Sequence, residues 1–396
     1  MEQTWRWFGP KDPIPLSHVR QAGATGIVSA LHDHYRGEVW TENGIAERRA
    51  MIEAAGLRWS VVESIPVPNA IKLGGEPARD ATAAFAETMR RLARAGLEII
   101  CYNFMPVVDW TRTELRHPMP SGGLALRFDM TDFVAYDAFV LDRPDADRDY
   151  TLDLLATAEA RLRTMTSDEV QRLERTIIAG LPGAEDSHSR QGIANIIAQY
   201  RDIGPDDLRA NLRAFHETVV PVAREVGVRL CIHPDDPPFP LFGLPRIVST
   251  AQDLDAIFAA VPERENGLTF CTGSLGARVD NDLPMLLESY LDRVHFVHLR
   301  NVSTDPDGSF VEDDHLVGNA DMVRLLALLL TEEERRREEG RPDHLIPFRP
   351  DHGHLLLDDQ DKKTLPGYSA IGRLKGLAEL RGVLTALTHP TYGVLQ

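Results

Sequence analysis

The chain has 396 residues, 43% of them hydrophobic and 26% charged, the balance of a folded globular protein long enough for one large domain or two ordinary ones. Lysines and arginines number 43 against 60 aspartates and glutamates, a net charge of −17, so no broad basic surface is available for a phosphate backbone and nucleic acid is not an expected partner. No apolar run reaches about 18 residues, and the start Met1-Glu2-Gln3-Thr4-Trp5 lacks a basic segment followed by an apolar one, which argues against a membrane partner and for a cytoplasmic protein. The three cysteines, Cys101, Cys231 and Cys271, lie at the ends of apolar runs in odd number, so they read as thiols in a reducing compartment rather than a disulfide framework.

Along the chain, short apolar runs alternate with longer amphipathic stretches, the pattern of an α/β protein with a parallel sheet. The runs are Thr4–Phe8, Gly26–Ala30, Trp59–Glu63, Glu98–Tyr102, Arg229–His233, Gly267–Cys271, Arg293–His298 and His344–Arg349. Eight such strands close a (β/α)8 TIM barrel, expected here as a single domain over 1–396. Helix Ala81–Ala95 collects Ala84, Phe85, Thr88, Met89 and Leu92 on one face before Gly96, and Leu208–Val226 likewise stops at Gly227. Asp321–Gly340 begins rich in leucine and continues as Glu332-Glu333-Glu334-Arg335-Arg336-Arg337, a run of i,i+4 charge pairs expected to form a solvated face. Ala370–Leu387 would close the ring after the eighth strand. The gap between the fourth and fifth runs is several times longer than the others. Within it Asp137–Gly180 is helical in character, charged and poor in β-branched residues, so a helical insertion of approximately 110–205 is expected after strand four, over the barrel mouth or at a subunit contact.

Barrels of this kind gather their chemistry at the C-terminal ends of the strands. Runs five to eight end in, or just before, His233, Cys271, His298 and Asp351, four adjacent positions aimed at one point. A set of nitrogen, sulfur and oxygen donors suits a divalent ion of the Mn, Fe, Co or Zn series rather than Mg or Ca. Taken singly, a cysteine ending an apolar run is more often a small buried hydrophobe, and each histidine is as readily a satisfied core residue; four at consecutive strand ends favour a metal. The last of these ends, Ile346–His354, brings Arg349, Asp351, His352 and His354 into one turn, a cluster that needs a metal, an anionic ligand or open water. His32, Asp33 and His34 follow the second run, Glu63 ends the third, Asn103 follows the fourth, and Arg300 and Asn301 follow the seventh. That lining suits a small polyhydroxylated acid, with arginines for its carboxylate and amides and imidazoles for its hydroxyls. The loop His233–Pro238 holds three prolines and is stiff; its Asp235 and Asp236 are either hydrogen-bond acceptors for a ligating histidine or turn formers. His216 and His295 read as structural.

These segments resemble those of the mannonate dehydratase family along nearly the whole chain, in Met1–Pro10, Val61–Ser64, Cys101–Pro106, His233–Pro238, Cys271–Ser274, His298–Arg300, Arg349–His354 and Pro366–Ala370. The resemblance implies a barrel of the xylose-isomerase type and loss of water from D-mannonate, giving 2-dehydro-3-deoxy-D-gluconate in hexuronate (glucuronate) catabolism. It also implies a single Mn2+ or Fe2+ on His233, Cys271, His298 and Asp351, with catalysis by His352 and Tyr368. Arg300 and Arg349 are then expected at the substrate carboxylate, with His32 and Asn103 beside the rest of the sugar acid. One loop departs from the family: where long relatives carry two adjacent histidines and Ile-Pro before Gly-Glu-Val-Trp, this chain has His32-Asp33-His34-Tyr35-Arg36-Gly37-Glu38-Val39-Trp40, a change expected to bear on substrate choice. Two rivals share the lining, a metal-dependent sugar isomerase or epimerase and a non-catalytic sugar-acid sensor. A symmetric homo-oligomer is the default expectation for quaternary state.

Overall fold

The computed structural model describes residues 1–179, 189–391 and 393. Its strands are β1 (Glu2–Arg6), β2 (Gly26–Ser29), β3 (Arg58–Glu63), β4 (Ile99–Tyr102), β5 (Glu114–Pro118), β6 (Leu124–Phe128), β7 (Arg229–Ile232), β8 (Asn266–Cys271), β9 (Val294–His298), β10 (Asn301–Thr304), β11 (Phe310–Asp313) and β12 (Pro347–Arg349). The eight apolar runs form β1, β2, β3, β4, β7, β8, β9 and β12, shifted only at their ends, and these pair in parallel around a closed barrel in the order β1-β12-β9-β8-β7-β4-β3-β2. Side chains alternate along each strand. Val28, Val61, Ile99, Cys101, Cys231 and Phe296 fill the barrel centre, while Ile27, Val62, Ile100, Leu230, Leu268 and Val297 pack outward with the helices, the period of two that a sheet covered on both faces requires. Cys101 and Cys231 are therefore core residues.

The helices follow the amphipathic stretches: Glu76–Arg94, Pro205–Val226, Met322–Glu338 and Ala370–Leu387. Among the described residues no helix is long and apolar enough to cross a membrane. His216 accepts its structural reading, buried with Nε2 2.5 Å from the Tyr102 hydroxyl.

The insertion contains more than helices. Helices Leu152–Thr164, Ser167–Ala179 and Arg190–Gln199 are present, and Gly180 of the expected helical stretch lies outside the described residues. Ahead of them, β5 and β6 form an antiparallel pair that joins the hairpin β10–β11, giving a second sheet in the order β10-β11-β6-β5. Phe128 of β6 stacks on Phe310 of β11 at 5.6 Å, within a separate core that includes Phe133, Tyr136, Ile177, Ile193, Tyr200 and Phe242. The insertion is thereby tied to the segment that follows β9.

The charge run at 332–337 departs from its expected solvation. Glu332, Glu333 and Arg336 are buried, because the helix face they share lies against the entry to β9 and β12. Arg336 Nε donates to Glu332 Oε1 at 2.6 Å and its Nη2 to the carbonyls of Leu291 and Val294 at 2.6 and 2.9 Å; the Ile346 amide donates to Glu333 Oε1 at 2.6 Å. Of the run, Glu334 and Arg337 face water and Arg335 is half-buried. Arg336→Ala is expected to cost about 3–5 kcal/mol, the penalty of stranding a buried charge, whereas Arg337→Ala, on an exposed side chain, should fall within about 0.5 kcal/mol of zero. Urea unfolding of the two variants checks this; equal midpoints would contradict it.

Candidate active site

Parallel strands that end in electron-pair donors bring those donors to one rim. Ligand atoms of His233, Cys271 and His298 lie within 4.8 Å of one another. His233 Nε2 is 3.1 Å from His298 Nδ1, and Cys271 Sγ is 3.9 Å from Asp351 Oδ2. Asp351 reaches the group because its backbone sits in the left-handed region, φ 61°, a conformation that costs about 1–2 kcal/mol for a residue with a Cβ and turns the chain back over the strand ends. The other atoms of these side chains are held. His233 Nδ1 faces the Pro234 carbonyl at 2.6 Å and so carries the proton, which leaves the Nε2 lone pair toward the group. His298 Nε2 faces Glu63 Oε2 at 3.4 Å. Ser274 directs its amide and hydroxyl at Cys271 Sγ, at 3.4 and 3.2 Å.

Two imidazoles and a sulfur facing one point, with a carboxylate oxygen 3.9 Å from the sulfur, repel unless a cation lies among them, so this donor set fits a divalent transition metal. Burial alone would raise the Asp351 carboxyl, but Arg349, His352, Arg300 and His298 hold it well below the usual carboxylate range. Glu63 follows the same logic: burial opposes its charge, and Arg349, Arg6 and His298 override burial. A second group of possible donors, Glu63, Cys101 and His298, also clusters. Burial pushes the Cys101 thiol well up, and its sulfur takes the Thr269 hydroxyl at 3.2 Å, so packing accounts for it.

Beside the donors stands His352, whose Nδ1 lies 2.9 and 2.8 Å from the two oxygens of Glu312. Tyr368 meets the imidazole edge-on at 5.0 Å. It is brought there by the Gly353 amide donating to the Gly367 carbonyl at 2.8 Å. Gly367 has φ 76°, and a Cβ on it would stand 2.9 Å from His352 Cγ, so the Pro-Gly-Tyr segment needs glycine for both conformation and contact. Burial pushes the Tyr368 phenol up to about 12.

Residues 1–392 match the profile of the family described as D-mannonate dehydratase (UxuA). The chain belongs to this family. It is 57% identical over 387 residues to mannonate dehydratase 2 of Agrobacterium fabrum, covering 98% of this chain and 97% of that one, and 53% identical to the mannonate dehydratase of Chromohalobacter salexigens, covering 98% and 99%. The crystal structure of mannonate dehydratase from Streptococcus suis superposes with a TM-score of 0.75 at 33% identity, over 98% of this chain and 93% of that one. Members of the mannonate dehydratase family are hydro-lyases, and this chain is an enzyme of that kind.

The remaining expected residues are distributed around this family's cluster as follows. Arg349 donates to Asp351 through Nη1 and to Glu63 Oε1 at 3.0 Å through Nη2. Arg300 is more fully engaged, with Nη1 on Glu312 Oε1 at 3.0 Å and Nη2 on Asp236 Oδ2 at 2.7 Å. Arg349 keeps a buried Nε without a hydrogen-bond acceptor, and Arg300 Nε lies 3.5 Å from Asp351 Oδ2. His32 stands 5.3 Å from Phe8, whose ring meets Tyr368 at 4.7 Å, and both its ring nitrogens are buried without partners; burial, with Arg6 and Arg48 nearby, holds it neutral. Asn103 is half-buried on the turn after β4, and among the described residues no side-chain hydrogen bond joins it to the cluster. Of the two aspartates in the proline-rich loop, Asp235 accepts from the Val248 amide at 2.7 Å and the Ser249 hydroxyl at 2.8 Å, and Asp236 is an ion-pair partner of Arg112 and Arg300.

Sequence reasoning missed Arg6, Trp110, Arg112 and Glu312. Arg6 pairs with Glu63 at 2.7 Å. Trp110 meets His352 edge-on at 5.9 Å with its Nε1 buried and unpartnered. Arg112, fully buried, donates to Asp236 Oδ1 at 2.8 Å and Glu312 Oε1 at 2.6 Å. Burial would raise Glu312, yet His352, Arg300 and Arg112 bring it down to about 2. The one local signal was the alternation Phe310-Val311-Glu312-Asp313, a strand pattern that places Glu312 on the same face as Phe310.

Proposed function

We propose that this enzyme removes water from D-mannonate to give 2-dehydro-3-deoxy-D-gluconate, with Mn2+ or Fe2+ held by His233, Cys271, His298 and Asp351, in cytoplasmic hexuronate catabolism. The observation that supports the reading is the convergence of His233, Cys271 and His298, with Asp351 Oδ2 3.9 Å from Cys271 Sγ, next to His352 and Tyr368. The C2 proton of a sugar acid is hard to remove because the neighbouring carboxylate is already negative; the ion, when bound, supplies Lewis acidity toward that carboxylate and the C2 hydroxyl.

The chain's own groups supply the rest. His352, with Nδ1 turned to a carboxylate, presents Nε2 as the base for the C2 proton. Tyr368, whose buried phenol stays protonated at neutral pH, donates to the C3 hydroxyl as it leaves, since hydroxide is a poor leaving group. Arg349, through its unpaired Nε, and Arg300 hold the carboxylate end, while His32 and Trp110 offer buried nitrogens to sugar hydroxyls. Asn103 completes the rim.

Turnover of D-mannonate by chelator-stripped protein reloaded with Mn2+, Fe2+, Mg2+ or Zn2+ tests this. Mn2+ or Fe2+ should restore formation of the 2-keto-3-deoxy acid with one water released per turnover. An isomerised or epimerised product without water loss, or binding without product under every ion, would overturn it.

A further inference from the structure

We propose that Glu312 is a positioning residue for the reaction: from the hairpin after β9 it fixes His352 as the tautomer protonated at Nδ1 and keeps the Nε2 lone pair toward the strand-end donors. This rests on the reading of His352 as a base. Both carboxylate oxygens lie within hydrogen-bonding distance of Nδ1, at 2.9 and 2.8 Å, and a carboxylate only accepts. Arg300 Nη1 is also 3.0 Å from Nδ1, but it and Nδ1 converge on the same oxygen, since Arg300 Nη1 is 3.0 Å from Glu312 Oε1. A lone pair on Nδ1 would face two anionic oxygens, so the proton belongs there.

The carboxylate is itself immobilised. Arg112 reaches Oε1 through Nη2 at 2.6 Å and Nε at 3.2 Å, and these guanidiniums are buried. The hairpin and the residues just after it also grip the loop that follows β12 on either side of His352. The Glu312 carbonyl accepts from His354 Nε2 at 2.8 Å, and His315 Nε2 stands 2.6 Å from the Pro350 carbonyl. On the opposite flanks the imidazole is walled by Trp110, Gly367 and Tyr368, so its Nε2 is left pointing along the remaining direction, where Asp351 Oδ1 is 3.7 Å away.

The experiment compares full-length, metal-loaded wild type with Glu312→Gln, Glu312→Asp, His352→Asn and the Glu312→Gln/His352→Asn double variant. Glutamine can donate to Nδ1 as well as accept, so kcat should fall by at least about 10²-fold, as wrong-tautomer substitutions do in acid–base histidines. KM for D-mannonate and bound metal should stay unchanged. Aspartate keeps the charge for both arginines but retreats by one methylene, and its kcat should lie between wild type and the glutamine variant. In the His352→Asn background Glu312→Gln should cost less than about 3-fold, because the group it acts through is gone. A glutamine variant with near-wild-type kcat, or an undiminished cost in the double variant, would overturn the proposal. If the glutamine variant does not fold, an aspartate variant with wild-type kcat overturns it equally. A readout independent of the reaction separates this from the functional reading: ¹⁵N spectra of histidine-labelled, Zn2+-loaded protein, assigned with His352→Asn, should show His352 protonated at Nδ1 and displaced by Glu312→Gln. An Nε2-protonated ring sinks the positioning role whatever the substrate, whereas the expected tautomer without D-mannonate turnover leaves it standing and overturns the substrate instead.

Discussion

His352→Asn is expected to lower turnover of D-mannonate by at least about 10²-fold while the protein keeps its metal, the usual contribution of one general acid–base group. Asparagine fills most of the space of the ring and can still reach Glu312, so the buried arginines retain their partner. What it cannot do is accept a proton at the position of Nε2. His352 lies outside the group of His233, Cys271 and His298 atoms that converge within 4.8 Å, so metal content measured by mass spectrometry should be unchanged. Tyr368→Phe should behave in parallel, since it preserves the ring packed on Phe8 and His352 and deletes only the hydroxyl that carries the acidic hydrogen. The two variants should diverge in isotope exchange: the tyrosine variant should still exchange the C2 proton with deuterated solvent, and the histidine variant should not. Exchange retained by His352→Asn would remove it from the role of base.

Cys271→Ala separates a metal ligand from a buried small hydrophobe more cleanly than any other single change. As core filler, alanine in its place would alter stability by about 1 kcal/mol or less and leave activity intact. As a ligand it supplies the only sulfur facing His233, His298 and Asp351 among the described residues. Its loss should empty the site at micromolar metal and reduce kcat/KM by at least about 10³-fold, equivalent to several kcal/mol of charge stabilisation. Titration of Mn2+ followed by its electron paramagnetic resonance signal checks the binding arm without any substrate. Full metal occupancy in the alanine variant would return Cys271 to the core.

The barrel was legible because each strand is a short apolar run whose last residue changes character, and that change marks the catalytic rim in the same stroke. His233, Cys271, His298 and Asp351 could be read together for this reason. Glu312, Arg112 and Trp110 could not, because what makes them functional is a partner far along the chain: Arg112 and Glu312 are separated by 200 residues. Strand β5 is short and charged, β6 is no longer, and the two pair with a hairpin that no local pattern announces. The run 332–337 was misleading for a different reason. An i,i+4 charge pair has the same spacing whether it faces water or caps a barrel end, and only the carbonyls of Leu291 and Val294 decide which.

The second sheet also bears on how the chain is made. Synthesis proceeds at roughly 5–20 residues per second, so Arg112 leaves the ribosome about 10–40 s before Glu312, its partner 200 residues on. Throughout that interval β6 presents an unpaired edge, because its neighbour β11 has not been translated, and open edges of this kind invite association with other chains. The hairpin that completes the surroundings of His352 is thus also the piece that seals a sticky nascent surface, and a ribosome stalled before residue 310 leaves both tasks undone.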